Sequence, residues 1–187
     1  MTVLPICITG EPVLHQVAEP VVDFGADLAT LVADMFETME AAPGVGLAAP
    51  QIGRGMRLFV YDWTDEEGER TRGVAANPEL WIAPLPIGTP DEDEEEGCLS
   101  IPGERYGLKR SERAILRAQD ERGERYELEA SGWLARILQH EFDHLNGILY
   151  ADRLDAFGTK GVQKAVKRNK WGVPGNSWLP GVDDLES

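Results

Sequence analysis

The chain has 187 residues, 42% of them hydrophobic and five of them Trp, which is enough to bury one well-formed core and too apolar for a disordered chain. Its 18 Lys and Arg stand against 33 Asp and Glu, a net charge of −15, which argues against nucleic-acid binding driven by phosphate attraction. No stretch is as apolar as a membrane span, Met1-Thr2-Val3-Leu4-Pro5 lacks the marks of a secretory signal, and the only cysteines are Cys7 and Cys98, so the expectation is a cytoplasmic, single-domain chain without membrane or sequence-specific nucleic-acid partners.

In chain order, the first clear element is residues 26–41, where Leu28, Leu31, Val32, Met35, Phe36 and Met39 recur at helical spacing. Asp23 or Asp27 is the expected cap, and Pro43-Gly44 the stop. Residues 44–53 are small and Gly-rich and read as a loop of close approach. Leu58-Phe59-Val60-Tyr61 reads as a buried strand, 65–68 as a hairpin turn, and 71–75 as the returning strand, ended by Asn77-Pro78. Residues 80–87 suggest a further strand kept to a sheet edge by Pro84 and Pro86. The six acids of 91–96 read as a solvated loop.

Two more strands are expected, one from 107–111 running on into 114–118, the other at 125–130. A helix from 132 to 146 follows, with Ser131 as N-cap and Gly147 just past its end. A basic helix at 159–170 and a Pro- and Gly-containing tail from 172 complete the chain. The fold class is therefore α+β, with antiparallel or mixed strands packed around the helix at 132–146.

That helix carries His140-Glu141-Phe142-Asp143-His144, an HExxH motif. Positions four apart share a helix face, so both imidazoles can reach one metal ion, and Glu141 lies close enough to the open side to work as acid and base. Two of the three histidines in the chain are spent here, whereas His15 reads as part of an ordinary turn or strand end. Burying these groups on an otherwise apolar face would be costly without a compensating metal. The third ligand is sought elsewhere, and Glu96-Gly97-Cys98-Leu99-Ser100 offers a thiolate suited to ferrous iron, zinc, cobalt or nickel. Cys7, in apolar Leu4-Pro5-Ile6-Cys7-Ile8, reads as packing.

With these motifs in view, the chain resembles the peptide deformylases. Gly44-Val45-Gly46-Leu47-Ala48-Ala49-Pro50-Gln51, Glu96-Gly97-Cys98-Leu99-Ser100 and Gln139-His140-Glu141-Phe142-Asp143-His144-Leu145-Asn146-Gly147 match the family's three motifs in order, within a likeness spanning residues 4 to about 155. The resemblance implies removal of the formyl group from the N-terminal formylmethionine of nascent polypeptides, with release of formate. It implies a single divalent metal on Cys98, His140 and His144, ferrous iron in the cell, though the ligands also suit zinc, nickel or cobalt. Glu141 would move the proton, while the Gln51 amide and the Leu99 backbone N–H would receive the oxyanion.

Gly46 would bring the backbone close to an extended substrate. Ile137 or nearby residues of the same helix would form part of the wall of the methionine pocket. Arg105 matches a family position near the substrate, with a salt bridge to Glu96 as the plainer reading. The tail with Trp178 and Pro180 looks like the actinobacterial form. Many bacterial members dock on the ribosome through a C-terminal helix, and Lys160, Lys164, Lys167, Arg168 and Lys170 either do the same here or form a solvated helix end. A metallopeptidase would take a His or Glu after the motif as third ligand, and no His follows His144. A structural metal site would be closed by four ligands and would have no use for Glu141 or Gln51.

Overall fold

A computed structural model describes residues 2–183 and 185, except for the side chain of Glu92. The chain runs β1 (Ile6–Cys7), α1 (Ala26–Ala41), β2 (Gly46–Ala48), β3 (Leu58–Thr64), β4 (Arg70–Ile82), β5 (Glu95–Cys98), β6 (Ile101–Gly107), β7 (Arg113–Gln119), β8 (Arg125–Ser131), α2 (Gly132–Leu145), α3 (Ala156–Asn169) and β9 (Ser177–Trp178). Strands β2-β3-β4-β7-β8 form one antiparallel sheet, while β5 pairs with β6 and β1 with β9.

The continuous apolar run at the start of β3 reflects a sheet covered on both faces. Alternate side chains go to opposite sides. Leu58 and Val60 join Leu28, Val32, Met35 and Met39 of α1 in one cluster, while Phe59 and Tyr61 join Ile137, Leu138 and Leu145 of α2 in another. Strand β7 is covered on one face only, and its pattern alternates accordingly: Ala114, Leu116 and Ala118 are buried toward α2. The α+β class read from the sequence holds.

Several local expectations are corrected. Helix α1 starts from Gly25 with no side-chain cap, Asp27 lying in its first turn. Residues 46–48 are an edge strand paired with β3 rather than loop. Asn77-Pro78 does not end its strand, and β4 runs on to Ile82. Asn77 takes φ 50° at a bulge, and its side chain accepts from Val21 N–H and donates to Val21 O and Gln119 Oε1. Those bonds replace the ladder contacts that the bulge and Pro78 remove. Residues 107–118 are not one strand, since β6 ends at Gly107 and β7 begins at Arg113.

The tail is also structured: β9 pairs antiparallel with β1, and Trp178 is buried there. Helix α2 ends as the sequence suggests. Gly147 has φ 71°, its N–H reaches His144 O, and Ile148 N–H reaches Asp143 O, so the last carbonyls are satisfied by a left-handed cap. A Cβ on Gly147 would lie 2.7 Å from Gln16 N, so the glycine also admits the N-terminal segment against the helix end. None of the described helices is long and apolar enough to cross a membrane.

Candidate metal centre and cleft

Helix α2 places His140 and His144 one turn apart, with ring nitrogens Nε2 3.1 Å from each other. Strand β5 brings Cys98 opposite them, its Sγ 3.4 Å from His144 Nε2. All three residues are buried, and their donor atoms lie within 4.8 Å of one another. On a shared tetrahedral ion, two nitrogen ligands sit about 3.3 Å apart and a nitrogen and a sulfur about 3.5 Å apart, given bond lengths of about 2.0 and 2.3 Å. The separations of 3.1 and 3.4 Å fall about 0.1–0.2 Å inside those values, so the donor set fits a metal. A buried set of one thiol and two facing imidazole nitrogens has no comparable role in packing. Both cysteines are free thiols.

His140 is aimed from behind. Its Nδ1 is 2.6 Å from Glu96 Oε1, so the carboxylate takes the ring N–H and leaves the Nε2 lone pair toward the centre. Burial alone would lower the His140 pKa, but Cys98 and Glu96 beside it more than reverse this. His144 is held well below the usual imidazole range by burial and by His140.

Glu96 is the residue that sequence reasoning missed, because it sits in an acidic run expected to be solvated. It is buried, accepts from Arg110 Nε and Nη2 at 3.1 and 2.7 Å, and lies 3.3 Å from Arg136 Nη1. Burial pushes against its charge, yet His140 and Arg110 hold its carboxyl well below the usual range. Arg110 also donates to Asp143 Oδ2 at 2.6 Å. Removing one member of such a buried ionic set costs about 3–5 kcal/mol, because its partner is left charged and unpaired. Arg136, Gln139 and Asp143 of α2 are buried as well, with Gln139 bonded to both backbone groups of Ser111. Glu96 is ion-paired with Arg110, Arg136 and His140, and Arg105 lies along Gly97 at the cleft.

A cleft of about 300 Å³ opens over the centre, lined among others by Gly44, Gly46, Gln51, Leu99, Trp133, Ile137 and Glu141. Glu141 is buried, and burial pushes its carboxyl up to about 7, the charge on His140 pulling the other way. Its Oε2 is buried without a hydrogen-bond partner, as is His144 Nδ1. Gln51, in the short 3-10 turn that follows β2, is fixed by the end of that strand: Ala48 N–H donates to Oε1 at 2.8 Å, which turns Nε2 toward Cys98 Sγ at 3.8 Å and Ser100 Oγ at 3.4 Å. Leu99 and Ser100 form the two-residue turn between Cys98 and Ile101, which are paired in register. Five expected residues (Cys98, His140, His144, Glu141 and Gln51) thus converge, with Leu99 and Gly46 on the rim. His15 is exposed at the end of a short 3-10 turn, and Cys7 is half-buried, with burial and Glu11 pushing its thiol up.

Gly46 has a role beyond the one expected. A Cβ there would lie 2.3 Å from Glu141 Oε1 and 2.7 Å from its Cδ. The glycine is therefore needed for clearance, not for an unusual φ. Gly46→Ala is expected to keep its metal, push the carboxylate aside and lower turnover by about tenfold or more, since a misplacement of about 1 Å can cost that much. Steady-state kinetics with elemental analysis checks this, and wild-type kcat in the variant would refute it.

The family described as polypeptide deformylase matches residues 3–160. A peptide deformylase of Mycolicibacterium paratuberculosis is 50% identical, covering 97% of this chain and 96% of that protein. One from Tropheryma whipplei (strain TW08/27) is 50% identical over 95% of this chain and 94% of its own length. Among solved structures, a peptide deformylase from Legionella pneumophila superposes with a TM-score of 0.76 at 38% identity, covering 90% of this chain and 95% of the other.

Proposed function

The chain belongs to the polypeptide deformylase family and is a metal-dependent hydrolase that removes the formyl group from N-terminal formylmethionine, and we propose that Cys98, His140 and His144 hold its metal, with Glu141, Gln51, Leu99 and Gly46 completing the site. The observation that carries this reading is the meeting of one thiol and two imidazoles under a cleft that also receives Glu141 and the Gln51 amide. We take the metal to be ferrous iron, with zinc, nickel and cobalt able to occupy the same donors.

When bound, the metal supplies Lewis acidity that makes water a nucleophile near neutral pH. Glu141 takes the proton from that water and returns it to the departing amine. The Gln51 Nε2–H and the Leu99 backbone N–H receive the charge that develops on the formyl oxygen. Gly46, on the open edge of the main sheet, lets the substrate backbone lie alongside β2, and Ile137 lines the methionine pocket. The Cys98 thiolate and the Glu96-bound His140 imidazole would both donate charge to the metal they hold, which leaves more of the work of deprotonating water to Glu141.

The reading extends to the rest of the chain. The whole polypeptide works as one catalytic domain in the cytoplasm on nascent chains. The exposed face of α3, with Lys160, Lys164 and Lys167, is the part suited to transient contact with the ribosome.

The test is formate release from formyl-Met-Ala by anaerobically prepared ferrous or nickel-loaded protein, and no release would end the reading. Elemental analysis should find about one transition metal per chain, most of it lost in Cys98→Ala. Full occupancy in that variant would remove Cys98 from the ligand set.

A further inference from the structure

The turn that carries Leu99 is held from outside the cleft by the C-terminal tail. Trp178 is 3% exposed, and its indole N–H donates to Leu99 O at 2.9 Å. The neighbouring carbonyl, Ser100 O, accepts from Thr9 N–H at 2.8 Å. Thr9 O in turn accepts from Gly172 N–H at 2.9 Å, and Ile8 N–H donates to Asn176 O at 3.0 Å. Both outward carbonyls of the turn are thus tied to the layer formed by the start of the chain and its tail, through residues more than seventy positions away in sequence. A buried indole N–H needs an acceptor somewhere. Its acceptor here lies one residue from Cys98, on the residue whose N–H faces the reaction.

We propose that Trp178 is a positioning residue for the oxyanion donor: by holding Leu99 O, it fixes the Leu99–Ser100 peptide plane and so restricts the φ and ψ of Leu99 that aim the N–H of the preceding plane. This rests on the deformylase reading of the site. A two-residue turn with one carbonyl released can rotate without unfolding the hairpin, and a donor aimed at a charge that develops only in the transition state tolerates little such motion. The effect therefore belongs on kcat and not on peptide binding.

The test compares Trp178→Phe, which keeps the buried ring and deletes the N–H, with Val32→Ala, a truncation in α1 of the same hydrophobic cluster that leaves the indole N–H in place. On formyl-Met-Ala, the metal-loaded Trp178→Phe protein should lose about tenfold in kcat with KM within about threefold, less than the roughly 10² to 10³ expected when an oxyanion donor is removed outright. Metal content should be unchanged. In zinc-loaded protein the Leu99 amide should exchange its hydrogen at least about tenfold faster than in wild type. Val32→Ala should lower Tm to a similar degree and change neither readout.

Wild-type kcat and wild-type Leu99 exchange in Trp178→Phe would overturn the proposal, as would equal losses in Val32→Ala. Should Trp178→Phe fail to fold, Trp178→Met keeps the full chain and a buried apolar side chain without the indole N–H, and unimpaired turnover there overturns it equally. If the wild type itself releases no formate, the deformylase reading fails. A working wild type matched by Trp178→Phe removes only the role of Trp178.

Discussion

Glu141→Gln is expected to keep its metal and its formyl-Met peptide while losing at least about a hundredfold in kcat. Gln preserves the volume of a buried side chain that packs against Gly46, where a single added carbon would already clash. It cannot take a proton. Glu141 is not among the three donor atoms that meet at the centre, so metal content measured by elemental analysis should not change. KM should stay within a few-fold, because the interaction removed is made with the moving proton and not with the bound peptide. Stability should not fall either: a buried carboxylate with one unpartnered oxygen is costly to keep, and an amide costs less. A Tm equal to or above the wild-type value alongside the collapse in kcat would mark a group kept for chemistry. Near-normal turnover would mean that another group carries the proton.

Much of this site could be read from the sequence because its residues come in short local patterns. The i and i+4 histidines, the Cys in a small-residue context and the Gly-rich stretch before Gln51 each carry their geometry within a few positions. What was hidden is long-range. Glu96 looked like one acid among six, yet period two places it on the same face of β5 as Cys98, which is the one local hint that it turns inward. Its partner Arg110 comes from another loop, and nothing local links the two. The burial of Arg136, Gln139 and Asp143 on α2 has no local signal either, because a buried polar face and a solvated one look alike in the sequence. The bulge at Asn77 needed Val21 and Gln119 to satisfy it, so the break signal there was read as an end. Trp178 in a Gly- and Pro-containing tail gave no sign of its acceptor seventy-nine positions earlier. Local chemistry was legible, and the shell that holds it in place was not.

Gln51→Ala should show a kcat loss on the order of 10² to 10³, about 3 to 4 kcal/mol, larger than any rise in KM, because the amide donor matters most once negative charge has formed on the formyl oxygen. The side chain has two jobs that the structure separates. Its Oε1 accepts the buried Ala48 N–H at 2.8 Å, and its Nε2 is thereby turned toward the Cys98–Ser100 turn. Alanine removes both. It leaves the Ala48 N–H without its acceptor, which costs about 1–3 kcal/mol, and at about 2–4 °C per kcal/mol for a chain of this size Tm should drop by several degrees. Gln51→Glu separates the two jobs. A carboxylate can still accept from Ala48 N–H, so much of the Tm loss should be recovered. It donates nothing and repels the oxyanion, so kcat should be no better than in the alanine variant. Tm following the acceptor while kcat follows the donor is the expected pattern, with metal content constant throughout. If Gln51→Ala turns over formyl-Met-Ala within a few-fold of wild type, the amide is not the oxyanion donor. If that variant sheds its metal, Gln51 supports the Cys98 ligand and not the transition state.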